Sequence, residues 1–160
     1  MPAWSYTNSL RPMETAIAER LLDNTHVTTG LYIAHIAVPC RDLDEAAQWY
    51  SEVLGAEPVR KLKDRVTFSF GGVLQLVCHL ERRAIEPNPR AYPRHFGLTF
   101  LEKHDFMRMR DHVESLGVPF IVRPFLRFRA TPHEHQSFMI ADPSGNVIEF
   151  KCYVRPENSY

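Results

Sequence analysis

Three side chains of this 160-residue chain could share one metal ion: His35, His95 and Glu149. Each falls in a run that reads as a β-strand, namely Tyr32-Ile33-Ala34-His35-Ile36-Ala37-Val38, Arg94-His95-Phe96-Gly97-Leu98-Thr99-Phe100 and Asn146-Val147-Ile148-Glu149-Phe150. A carboxylate in an otherwise apolar strand is expensive to bury unless a cation faces it. Two imidazoles and one carboxylate converging from separate strands make a facial triad, which leaves coordination positions open for substrate and dioxygen. Such a set suits Fe(II) first, and Mn(II), Zn(II) or Ni(II) as well, because affinity order alone does not select among them.

Other polar side chains are placed to serve that centre. Gln75 lies on Val73-Leu74-Gln75-Leu76-Val77-Cys78-His79, where it reads as a fourth ligand or a substrate contact. His79 shares its face, but four residues of strand span about 13 Å, so His79 reads as a proton-transfer group at the rim. Arg123 and Arg127 alternate along one strand and would hold an anionic substrate group if their face lines the cleft. His135, like His133 just before it, is a candidate general acid or base.

The elements that must position these groups come as one plan written twice. A strand opening on a histidine leads to an amphipathic helix, a glycine and then more strands. The histidines at 35 and 95 are 60 residues apart, and the glycines at 55 and 117 are 62 apart. Such a repeat sets the architecture before any single element does. The first strand, 31–38, reads as a central buried one, being apolar on both faces except for His35. Asp42 caps a helix to Leu54 with Glu45 at capping-box spacing, and Gly55 ends it. Short strands follow at 57–62, 65–70 and 73–80. A proline-rich linker spans 81–93. The second copy reads as strand 95–101, helix 103–116, strands 119–128 and 135–141, the turn Asp142-Pro143-Ser144-Gly145-Asn146, and strand 147–153. Residues 1–30 form an extension with a short helix at Pro12–Leu22, and residues 154–160 form a tail.

Composition narrows the partners. Lys plus Arg equals Asp plus Glu at 19 each, so nothing points to nucleic acid or an anionic membrane. No apolar run approaches the roughly 20 residues of a membrane span. Three cysteines without a CxxC pair indicate neither a disulfide framework nor a structural zinc site and fit a cytoplasmic setting. A small-molecule substrate and a homodimer are the expected partners.

His35-Ile36-Ala37-Val38 with Arg41-Asp42-Leu43, Trp49-Tyr50 through Leu54-Gly55, His95-Phe96-Gly97-Leu98 and Asp142 through Phe150 together resemble the vicinal oxygen chelate superfamily. That group contains glyoxalase I, extradiol dioxygenases, and fosfomycin and bleomycin resistance proteins. The resemblance covers about 31–153, as module one (31–80), linker (81–93) and module two (94–153). It implies an α+β fold of two βαβββ modules, paired to form a curved mixed sheet around a metal-binding cleft, with ligands at His35, His95 and Glu149. Within the superfamily, Gln75 to His79, Pro124 to Phe128 and Phe150-Lys151 are most similar to predicted bacterial extradiol-type dioxygenases. The expected activity is therefore a dioxygenase, an oxidoreductase acting on a small oxygen-rich or aromatic substrate. The alternatives are a glyoxalase-like lyase or isomerase, and a small-molecule binding or resistance protein without turnover. Extradiol enzymes place a catalytic tyrosine ten residues before the carboxylate ligand, and Met139 stands there.

Overall fold

A computed structural model describes residues 33–83 and 86–158. The expected helix at Pro12–Leu22 and the rest of the 1–30 extension lie outside them. Both modules lie in one compact unit that begins at His35.

Module one runs β1 (Ala34–Cys40), α1 (Leu43–Leu54), β2 (Pro58–Lys61), β3 (Arg65–Phe70) and β4 (Leu74–Leu80). Module two repeats it as β5 (Phe96–Phe100), α2 (Lys103–Ser115), β6 (Phe120–Arg127), β7 (His135–Ala141) and β8 (Val147–Tyr153). The fold is α+β, two βαβββ modules, each with its own four-stranded sheet: β1-β4-β3-β2 and β5-β8-β7-β6. The second sheet is mixed, with β5 parallel to β8 and the other neighbours antiparallel. The first and last strands of each module are therefore neighbours, so a residue on β1 or β5 can meet one on β4 or β8.

Local chemistry explains the elements. The Asp42 carboxylate accepts from the backbone N–H of Asp44 and Glu45, satisfying donors that the first helical turn leaves open. The reciprocal arm expected of a capping box does not form, because both carboxylate oxygens of Glu45 are taken by Arg41. Gly55 ends α1 at φ 65°, a left-handed conformation that costs glycine little. The expectation of a central β1 is corrected: β1 is an edge strand with one face open. Ile36 and Val38 pack on the core while His35 and Ala37 are exposed. The apolar run misled because alanine tolerates exposure as readily as burial.

One core serves both modules. Tyr50, Phe68 and Leu76 from the first meet Phe106, Phe138 and Phe150 from the second in a single buried cluster. The Asp142–Asn146 turn clasps the two together. Asp142 accepts from the backbone N–H of Ser144 and Asn146 and from the hydroxyl of Tyr50 at 3.0 Å. The amide of Asn146 donates to the Pro39 carbonyl at 2.8 Å, and the backbone N–H of Arg41 donates to the Ser144 hydroxyl at 3.0 Å. The face turned away from this core carries Gln75 and His79 on β4 and Glu149 and Lys151 on β8, together with the buried Val77 and Met139.

Candidate functional site

On β8, Ile148, Phe150 and Cys152 enter the core, so Glu149 and Lys151 project from the other face. Glu149 is 6% exposed and has three polar neighbours. The Ser137 hydroxyl on β7 donates to Oε1 at 2.6 Å. Lys151 Nζ lies 3.0 Å from Oε2, and His95 Nε2 lies 3.4 Å from the same oxygen. Burial pushes the Glu149 carboxyl up, but Ser137, Lys151 and His95 outweigh it and hold it below the usual carboxylate range. The site thus keeps a charged acceptor in a nearly closed place.

Gly97 makes that packing possible. It pairs with Glu149 across the parallel β5–β8 ladder, and a Cβ there would lie 2.1 Å from the Glu149 carbonyl oxygen. No other residue fits without moving β8.

Each histidine presents one particular nitrogen. His95 Nδ1 is 2.9 Å from the Ala91 carbonyl, which can only accept, so Nδ1 carries the proton and Nε2 faces Glu149. His35 Nδ1 is 2.9 Å from Gln75 Oε1, another acceptor, so that ring too is held through Nδ1. A ring nitrogen and a carboxylate oxygen each about 2.1 Å from one ion, at a tetrahedral angle, lie about 3.4 Å apart. The His95–Glu149 separation fits that bite.

Two of the three predicted ligands, His95 and Glu149, are thus brought together, and His35 meets Gln75 instead. Among the described residues no group of three histidines, cysteines or carboxylates gathers at one point. The chain carries two such pairs in matching places, a first-strand histidine beside a last-strand Gln75 or Glu149. Both β1 and β5 lie at an edge of their sheets.

The remaining candidates scatter along the same faces. His79 is half-buried near the end of β4, opposite Arg65. His135 is 4% exposed and pairs with Tyr153 and Arg127 in register, two rows from Glu149. Its Nδ1 donates to the His133 carbonyl at 2.8 Å, and its buried Nε2 meets no hydrogen-bond partner among the described residues. Arg127 donates to the Tyr92 hydroxyl at 2.7 Å, its guanidinium 5.4–5.8 Å from the ring centres of Phe128, Phe125 and Tyr92. No carboxylate pairs with it among the described residues. The alternation that would put Arg123 beside Arg127 is broken by a bulge, because Val122 to Phe125 on β6 spans only Met139 to Ser137 on β7. Arg123 is exposed.

Sequence reasoning missed Lys151 and Ser137. Lys151 was legible as the residue two beyond Glu149, on the same face of the same strand. Ser137 carried no signal, since its pairing depends on the β7–β8 register.

The fold defines a class of duplicated βαβββ proteins, and residues 32–150 match the Glyoxalase/Bleomycin resistance protein/Dioxygenase superfamily. The chain belongs to that superfamily. It is similar to a glyoxalase/bleomycin resistance protein/dioxygenase from Alicyclobacillus acidocaldarius, at 40% identity and a TM-score of 0.74, over 81% of this chain and 96% of that one. It is also similar to a lactoylglutathione lyase from Agrobacterium tumefaciens, at 25% identity and a TM-score of 0.58, over 77% and 94%. A fosfomycin resistance protein from Listeria monocytogenes shares the fold, at 18% identity and a TM-score of 0.59, over 81% and 97%. Among the described residues no helix is long and apolar enough to cross a membrane.

Proposed function

We propose that this protein is a divalent-metal enzyme for a small oxygen-rich substrate, and that its metal centre is completed between two copies of the chain. The observation that carries this reading is the His95–Glu149 pair: a buried carboxylate held ionised, 3.4 Å from Nε2 of an imidazole fixed through Nδ1 by the Ala91 carbonyl. His35 of a second copy would supply the third donor, with Gln75 holding its ring. A homodimer related by a two-fold axis would then hold two equivalent centres. Fe(II), Mn(II), Zn(II) and Ni(II) all suit this donor set.

A metal ion bound there would chelate vicinal substrate oxygens, lower the pKa of a hydroxyl and polarise a carbonyl. The chain's own residues do the rest. Arg127, without a counter-ion among the described residues and walled by aromatic rings, anchors an anionic or planar group of the substrate. His135 offers an unpaired ring nitrogen on the same face, and His79 a second proton acceptor on the other module.

Two chemistries fit this arrangement. One is the dioxygenase reaction on an aromatic substrate; the other is lyase or isomerase chemistry with the metal as Lewis acid. Met139 favours the second. It is fully buried directly opposite Glu149 and can move no proton, so the acid/base position of extradiol enzymes is empty of chemistry here. Oxygen uptake by Fe(II)-loaded protein with a catechol panel separates the two.

Complementation tests the shared centre. His35→Ala and Glu149→Gln chains should each lose tight metal binding, and a mixture that exchanges subunits should recover about a quarter of the wild-type sites, all in mixed dimers. No recovery on mixing, with exchange verified, refutes a centre shared between chains.

A further inference from the structure

Resting on the reading of His95 and Glu149 as ligands, we infer that Lys151 is an exchangeable cation: it neutralises Glu149 before metal binds and turns to an anionic oxygen of the substrate afterwards. Lys151 Nζ sits 3.0 Å from Glu149 Oε2, the oxygen that also faces His95. The other carboxylate oxygen is committed to Ser137 at 2.6 Å, so ammonium and metal compete for the same atom. A divalent ion at Oε2 would face the ammonium across a short distance inside a nearly closed site. Like charges so placed repel far more strongly than in water. The lysine must leave, and it has somewhere to go.

Its side chain is a quarter exposed, and its strand neighbours are Thr99 on β5 and Ser137 on β7, neither of which can replace the lost charge. Released from Oε2, the ammonium stays on the open face within reach of whatever binds beside the ion. A metal-chelated substrate that has lost a proton, such as an enolate, catecholate or carboxylate, presents the negative oxygen it needs. The substrate class this selects is an anionic oxygen chelator. Lys151 is thus a positioning residue for the empty site and a specificity residue for the loaded one.

The inference makes two predictions of opposite sign for one substitution. In Lys151→Met, metal-stripped full-length protein should bind Zn(II) or Mn(II) about tenfold more tightly, the size of one displaced charge-assisted hydrogen bond. The metal-loaded variant should bind oxalate, used as an anionic chelating probe, about tenfold more weakly. Lys151→Arg keeps the charge and should resemble the wild type in both titrations. Melting gives a readout independent of affinity fitting: the stripped Lys151→Met protein should melt lower, and added metal should raise its midpoint further than it raises the wild type's. Lys151→Gln serves in place of the methionine variant should that one fail to fold. Metal binding no tighter than wild type, or oxalate binding undiminished, overturns the role assigned to Lys151. A Glu149→Gln control that keeps wild-type metal affinity would overturn instead the ligand assignment on which it rests.

Discussion

The open face of module one and that of module two carry the same device built to different standards. In the first, an exposed His35 and a half-buried Gln75 share a single hydrogen bond. In the second, Glu149 is buried and needs a hydroxyl, an ammonium and an imidazole around it, with a glycine opposite to give it room. The difference teaches where duplication stops being symmetrical. A neutral donor can sit on an open sheet with one partner, whereas a buried charge needs a built surround. Module two should therefore couple binding to stability, and module one should affect binding alone.

The largest effect should come from the charge itself. Glu149→Gln should weaken metal binding at least about 100-fold, more than the roughly tenfold expected of Gln75→Leu, which removes only the group that holds His35. Metal content of tag-free protein after dialysis checks both, and equal losses would erase the contrast between the modules. Gly97→Ala should cost about 1–3 kcal/mol in urea unfolding, because the new methyl meets backbone and β8 must shift. The matching residue in module one is already an exposed alanine, Ala37, and Ala37→Ser there should stay within about 0.5 kcal/mol. Gln75→Leu should likewise leave unfolding within about 0.5 kcal/mol of wild type; a large destabilisation would show module one to be as structural as module two.

The smallest effect contrasts both open faces with the core between them. Cys40, Cys78 and Cys152 are buried and free. Burial, and then the Asp142 carboxylate, push the Cys40 thiol up to about 11, and burial raises Cys78 further. A raised thiol pKa means that the reactive thiolate is scarce until the pH climbs toward that value. A thiol reagent at pH 8 should label none of the three in native protein and all three in denaturant, and reactivity should grow as the pH approaches 11.

Much of the architecture was legible because its signals are local. Asp42 and Gly55 bracket α1 as their chemistry requires, β7 and β8 begin and end where the pattern placed them, and the Asp142–Asn146 turn folds on its own side chains. Misreadings arose where a neighbour decides. Arg41 drew Glu45 out of the capping box, and the edge position of β1 could not be read from a run containing two alanines. The β6 bulge separated Arg123 from Arg127 because it is a property of the β6–β7 pairing and leaves no mark in spacing.

The amino-acid sequence by itself determined the duplication, the strand or helix that each segment forms and the candidate ligands, since periodicity, capping and residue chemistry act over a few residues. Only tertiary structure decided which of those ligands meet. Strand order set His35 beside Gln75 and His95 beside Glu149, and register brought Ser137 and Lys151 to the carboxylate. Contacts between residues 40 and 54 positions apart depend on how strands pair, and that is a choice the whole core makes.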